Sequence, residues 1–296
     1  MRHGAIAAEV AVPAVVRGIE TELCDARVQH VQPLLEQGDE RQEAVAVETV
    51  LVEPVGRPVA GGDDGDAALD VVVHAAACRE AVDGADAVVL AVKPQMLKQA
   101  CAELLPHLQG ELIVSIAAGT RRASIARWLG ADPTSARIVR TMPNTPALIG
   151  QGITGLFAPP SLSEADVATS TELMRSTGAV VRVESEAMID AVTAVSGSGP
   201  AYVFHWIESM LAAAKGVGFN DADARMLVLA TLKGATALAE ASDESPAVLR
   251  ERVTSKGGTT AAALAVINER GVQQALIDAV RAARDRGAEL GAMADD

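Results

Sequence analysis

The chain has 296 residues, of which 49% are apolar and only 2% aromatic, and its formal net charge is −14. That length suits two domains, or one large one, with cores built from Ala, Val, Leu and Ile rather than stacked rings. The acidic balance argues against nucleic-acid and anionic-membrane partners, although a local site for a small anion can oppose the global field. Cys24, Cys78 and Cys101 are too widely spaced for a disulfide framework or a metal cluster. The five histidines are scattered as well, and no metal site is expected. No uncharged apolar run reaches bilayer-spanning length. Glu9 interrupts the opening stretch before a signal-peptide core could form. A cytoplasmic setting is expected.

Residues 1–70 carry 14 acidic and 5 basic side chains, with no lysine and no aromatic residue. Short Val-rich pieces alternate there with loops such as Gly61-Gly62-Asp63-Asp64-Gly65-Asp66. Regular patterning begins near Ala75. Asp86 to Val92 is a continuous β-branched run that reads as a buried strand. Gln95 to His107 reads as a helix, Glu111 to Ile116 as a strand, and Arg121 to Leu129 as a helix. Ala136 to Thr141 and Gly152 to Ala158 follow as strands. Ser163 opens a capped helix that runs to about Thr177, with Gly178 as its stop. Ala179 to Val183 is the last strand. The alternation predicts a mostly parallel, doubly wound α/β sheet.

Beyond Glu184 the pattern is helical throughout: Glu186 to Val195, Pro200 to Lys215, Asp221 to Ala241, Pro246 to Val253 and Thr260 to Leu290. Three regions result: an atypical acidic segment 1–74, an α/β domain 75–184, and an all-α domain 185–296. The long helices are apolar over much of their circumference, as in Met226-Leu227-Val228-Leu229-Ala230. Such helices must be buried, and packing against a second copy of the chain is expected to bury them.

The stretch Thr254-Ser255-Lys256-Gly257-Gly258-Thr259-Thr260 lies between two helical patterns. Paired glycines let a backbone turn sharply and approach a ligand. Thr259 or Thr260 falls where an N-cap belongs. The free N–H groups there favour a small anion such as a carboxylate. The same pattern also describes an ordinary capped turn. Ser196-Gly197-Ser198-Gly199 is not a nucleophile elbow, because neither serine has glycine two residues before it and two after it.

Five segments, in order, resemble the pyrroline-5-carboxylate reductase family. They are Leu90-Ala91-Val92-Lys93-Pro94-Gln95, Ser115 to Gly119, Arg140-Thr141-Met142-Pro143-Asn144-Thr145-Pro146, Ala194 to Tyr202, and Thr254 to Thr260. The resemblance spans about residues 75–290. It implies an N-terminal Rossmann-type domain and a helical C-terminal domain that interlocks with a partner subunit, as a homodimer or higher oligomer. It implies reduction of the cyclic imine 1-pyrroline-5-carboxylate to proline by NADPH or NADH. By the same resemblance Ala91, Val92, Lys93 and Pro94, with Ala117, Ala118 and Asn144, line the cofactor. Gly258, Thr259 and Thr260 hold the substrate carboxylate, the Thr260 hydroxyl faces the ring nitrogen as donor or relay, and Asp243 lies near the substrate amine.

One departure stands out. The family opens with a strand running into GxGxxG or GxGxxA, and no GxG occurs in residues 1–75. One reading is a shifted or opposite frame of GC-rich DNA over residues 1–74. The other is a diverged N-terminus. The functional alternative is a non-catalytic dimeric relative that has lost dinucleotide binding. A related two-domain hydroxy-acid reductase fits less well, since Ile189 to His205 contains no lysine.

Overall fold

The computed structural model describes residues 48–52, 69–73, 82 and 84–293. The expectations for the rest of residues 1–74, and for Cys24 and Cys78, lie outside the described residues. Chain contacts divide the protein into two units, one ending at Gly197 and resuming at Arg284, the other Ser198–Ala283.

The first unit is built on a seven-stranded sheet of order β2-β1-β3-β4-β5-β6-β7. Its strands are β1 Glu48–Val52, β2 Leu69–Val73, β3 Ala87–Leu90, β4 Leu112–Ser115, β5 Ile138–Met142, β6 Gly152–Phe157 and β7 Gly178–Arg182. Strands β3, β4 and β5 are parallel neighbours. The connections that make them parallel are the helices α1 Pro94–Leu104 and α2 Arg122–Trp128.

Alternate residues of these strands feed two cores. Val88, Leu90, Ile113 and Ile138 join Leu97, Cys101, Leu104 and Ile125 on one face. Val89, Val114, Val139 and Leu156 join Leu173 and Met174 on the other. With both faces covered, the strands read as unbroken apolar runs. Helix α1 starts with Pro94 at its first turn and buries Leu97, Ala100, Cys101 and Leu104, a single stripe at helical spacing.

Two features of the sheet differ from a mostly parallel expectation. Strand β6 runs antiparallel to β5, because only residues 143–151 connect them, too few for a crossover. A 3₁₀ turn, Thr145–Ile149, closed by Gly150 at φ 68°, reverses the chain there. Helix α3, Glu164–Arg175, then supplies a crossover, and β7 pairs parallel to β6. The second feature is at the other end of the sheet, beside β3. There β1 pairs antiparallel with β3 and with β2.

The Ser163 cap of α3 is a full capping box, with Asp166 N–H donating to Ser163 Oγ and Ser163 N–H to Asp166.

The helical region begins with α4 Ala187–Val192, which widens into a π-helical turn, Thr193–Gly197, over the end of the helix expected from Glu186 to Val195. The second unit contains α5 Gly199–Gly216, α6 Asp221–Glu240, α7 Pro246–Arg252 and α8 Thr259–Glu269. Helix α9, Val272–Met293, begins in this unit. The single helix expected from Thr260 to Leu290 is thus two, broken where Gly271 adopts φ 65°. Within Ser198–Ala283, Ala224 and Val228 are the fully buried apolar residues among those described. Phe204, Trp206, Val217 and Met226 are exposed by 58%, 44%, 77% and 65% in the single chain.

Candidate functional site

The first set of site residues stands at the carboxyl ends of the parallel strands, the edge where doubly wound sheets bind ligands. Ala91 and Val92 follow β3, with Val92 buried and Ala91 half-buried. Lys93 is the N-cap residue of α1, is exposed, and gives no side-chain cap. Pro94 supplies the first helical position, and α1 has no acidic residue in its first turn. The positive end of α1 is therefore uncompensated beside an exposed cation.

Ala117 is buried and Ala118 half-buried after β4. The Ser115 hydroxyl accepts from Ala117 N–H at 3.3 Å, and Thr141 Oγ1 donates to Ser115 carbonyl oxygen at 3.2 Å. These bonds shape the β4 and β5 ends together. Small side chains beside one cation fit the flat, anionic character of a nicotinamide dinucleotide at this edge. No phosphate-loop motif is present among the described residues to hold its pyrophosphate.

Asn144 follows β5. Its Oδ1 accepts from Ile153 N–H at 2.9 Å, and its Nδ2 donates to the Ser196 carbonyl at 3.2 Å. Both polar atoms of this side chain thus have protein partners.

A charged network missed at the sequence level lies in the same unit. Arg140, in β5, is 2% exposed and pairs through Nη1 with Glu186 Oε1 at 3.1 Å. The same carboxylate oxygen accepts the Arg122 backbone N–H at 2.7 Å, in the first turn of α2. Arg122 turns its own guanidinium to the carbonyls of Ile138, Pro133 and Ala136. Burial pulls the Arg122 guanidinium below its usual value, and the Glu186 charge works against that shift. One signal was available in the sequence: an arginine inside the apolar run Ile138-Val139-Arg140-Thr141-Met142.

The second set lies in the Ser198–Ala283 unit. After α7, Thr254 Oγ1 donates to the Arg250 carbonyl at 2.6 Å, and Gly257 takes a left-handed φ of 71°. Gly258, not a threonine, is the N-cap of α8, with extended backbone and no side-chain cap. A Cβ at Gly258 would collide with Ser255 Oγ. Gly258 N–H already donates to the Ser255 carbonyl at 3.0 Å. The first-turn N–H groups of Thr259 and Thr260 have no intrahelical acceptor. Thr259 is exposed and Thr260 half-buried.

Asp243 is exposed in the turn after α6. Its neighbour Glu244 is paired with Arg252 at the end of α7, and Glu244 N–H donates to Ser242 Oγ at 3.1 Å. The corner and the Asp243 turn are thereby joined by α7. Among the described residues no cluster of His, Cys, Asp and Glu could hold a metal ion, and no helix is long and apolar enough to cross a membrane.

Two stretches of the chain match known families. Residues 186–290 match the family described as pyrroline-5-carboxylate reductase dimerisation. Residues 62–119 match NADP oxidoreductase, coenzyme F420-dependent. The pyrroline-5-carboxylate reductase of Pseudomonas aeruginosa is 46% identical over 227 residues, 76% of this chain and 81% of that protein. The chain belongs to the pyrroline-5-carboxylate reductase family.

The reductase of Arabidopsis thaliana is 36% identical, over 71% of this chain and 75% of its own. Among solved structures, the Coxiella burnetii pyrroline-5-carboxylate reductase aligns with a TM-score of 0.67 at 39% identity, covering 72% of this chain and 78% of that one. A Plasmodium falciparum pyrroline carboxylate reductase with NADP bound aligns with the same TM-score, 0.67, at 29% identity, covering 72% of this chain and 80% of that one. The family membership accounts for a Rossmann-type sheet and a helical C-terminal region in one chain.

Proposed function

We propose that this chain reduces 1-pyrroline-5-carboxylate to proline, using NADPH or NADH, as an oxidoreductase acting on a C=N bond. One observation carries the reading most directly. The Thr254–Thr260 corner ends in an uncapped helix N-terminus whose Thr259 and Thr260 N–H groups are available to an anion. The substrate carboxylate is the group that fits there. Since Gly258 N–H is taken by Ser255, the two threonine amides do the holding, and Gly258 contributes by letting the chain come close.

A dinucleotide held at the β3 and β4 ends would supply a hydride to the imine carbon. As the new C–H bond forms, the C=N π pair moves onto nitrogen: a nitrogen that was already protonated becomes a neutral amine, and one that was not must gain a proton. The half-buried Thr260 hydroxyl donates a hydrogen bond to that nitrogen or relays a proton to it from water. Asp243, on the turn joined to the corner through α7, favours the cationic form of the ring nitrogen. Ala91, Val92, Lys93 and Pro94 hold the cofactor at one strand end, and Ala117 and Ala118 leave room for a flat ring at the next. Most of the rate acceleration is assigned to positioning.

The exposed apolar helical surface supports a homodimer or higher homo-oligomer, since a single chain leaves Trp206, Val217 and Met226 in water. The proposed setting is the cytoplasm, and the domain from about residue 185 carries both substrate binding and assembly.

The test follows oxidation of NADPH and of NADH with the imine as substrate. Thr260→Val is expected to lower kcat/KM roughly a hundredfold while leaving dinucleotide affinity unchanged. An intact dimer with no saturable dinucleotide binding would instead identify a non-catalytic relative.

A further inference from the structure

The Ser196 carbonyl is orphaned by the sequence. In an α-helix it would accept from the N–H four residues on, but that residue is Pro200, which has none. The next donor along, Ala201 N–H, is committed to the Ser198 carbonyl at 3.0 Å. The vacancy falls within a π-helical turn, Thr193–Gly197, and is met by a side chain from 52 residues away, Asn144 Nδ2 at 3.2 Å.

The fit around the turn is close. Ser196 Oγ donates back to the Val192 carbonyl at 3.1 Å. A Cβ on Gly197 would lie 2.7 Å from the Met142 terminal methyl, two residues before Asn144. The other end of the Asn144 amide accepts from Ile153 N–H in β6. One amide thus joins the β5 end, the start of β6 and the last turn before the chain leaves its first unit at Gly197.

We infer that Asn144 is a positioning residue: its amide replaces the N–H that Pro200 lacks and fixes the Thr193–Gly197 turn to the ligand-binding edge of the sheet. An asparagine suits this task because it donates and accepts in opposite directions. An aspartate still accepts from Ile153 but sets a lone pair against the Ser196 carbonyl. For the reaction, the clamp keeps the β5 end and the Gly-rich exit turn in one arrangement. That kinetic consequence rests on the imine-reductase reading, whereas the clamp itself does not.

The test uses the full chain and hydrogen exchange, read at Ile153 N–H and across residues 193–197. Asn144→Ala is expected to speed exchange at both places by roughly tenfold. Asn144→Asp is expected to speed it only across 193–197. Adding Pro200→Ala restores a backbone donor to Ser196, so N144D/P200A is expected to regain slow exchange at 193–197. N144A/P200A should do the same while Ile153 stays fast. Turnover of the imine, where present, is expected to fall roughly tenfold in kcat in N144D and to recover in N144D/P200A at saturating dinucleotide.

Unchanged exchange at 193–197 in N144D, or no recovery on adding Pro200→Ala, would overturn the clamp. If exchange follows this pattern but kcat does not, the positioning role is refuted. A parent chain that fails to reduce the imine, with the exchange pattern intact, refutes the reductase reading and leaves the clamp standing.

Discussion

Removing the Glu186 carboxylate is expected to be among the more damaging single changes in the first unit. Arg140 is 2% exposed, and Glu186 is the carboxylate that pairs with it. A second guanidinium nitrogen, Arg140 Nη2, is already buried without a hydrogen-bond partner. Glu186→Ala would therefore leave a buried cation uncompensated and also strip the acceptor from the Arg122 N–H. Breaking a buried pair by removing one partner costs about 3–5 kcal/mol. The Glu186 side chain is 28% exposed, so water reaches the site and the lower end, about 3 kcal/mol, applies. For a unit of this size that lowers the melting temperature by roughly 6–12 °C.

The sharper test is the comparison with Arg140→Met, alone and in E186A. The methionine fills much of the same volume without a charge to satisfy. R140M is expected to cost about 1 kcal/mol, and R140M/E186A to be more stable than E186A. Thermal melts followed by circular dichroism at one ionic strength measure all four proteins. If E186A melts within about 1 °C of the parent, or if adding R140M destabilises it further, the account of a buried compensated cation is wrong.

Three other outcomes follow from the geometry. A Cβ on Gly155 would lie 2.5 Å from Val192 Cγ1. Valine is stiff at χ1, so Gly155→Ala is expected to cost about 1–3 kcal/mol, and G155A/V192A to regain most of it in a denaturant titration. Asp166 is pushed up by burial, but hydrogen bonds from Arg137 and Ser163 and the Arg137 charge outweigh that and hold it below the usual carboxylate range. Its folded value is depressed, so its stabilisation is present above the unfolded value and lost as pH falls through the folded one. Asp166→Asn should flatten the acid limb of stability against pH below about 4, and an unchanged slope would contradict the assignment. Burial pushes the Cys101 thiol from 9.0 up to about 12. Its folded value is raised, so its contribution is full below pH 9 and is lost as pH rises towards 12. Thiol alkylation of the native chain at pH 8, read by peptide mass, should leave Cys101 unmodified while the unfolded chain reacts there.

Local chemistry made much of this protein legible before any tertiary information. The run Ala87–Leu90 is buried on both faces, and continuous β-branched sequence says so directly. Ser163 followed by Asp166 announces a capping box. The Thr254–Thr260 corner is visible because Gly257 must take a left-handed φ just before a helix. Such signals extend over a few residues, where backbone sterics and helix-end hydrogen bonding act.

Two further decisions depended on residues far apart in sequence. The satisfaction of Ser196 fell to Asn144 across 52 residues, and the charge of Arg140 to Glu186 across 46. A periodic pattern records which face of an element is buried. It carries no record of which distant polar group must fill a vacancy, because that choice is made only when packing expels water and leaves each buried donor and acceptor to find a protein partner.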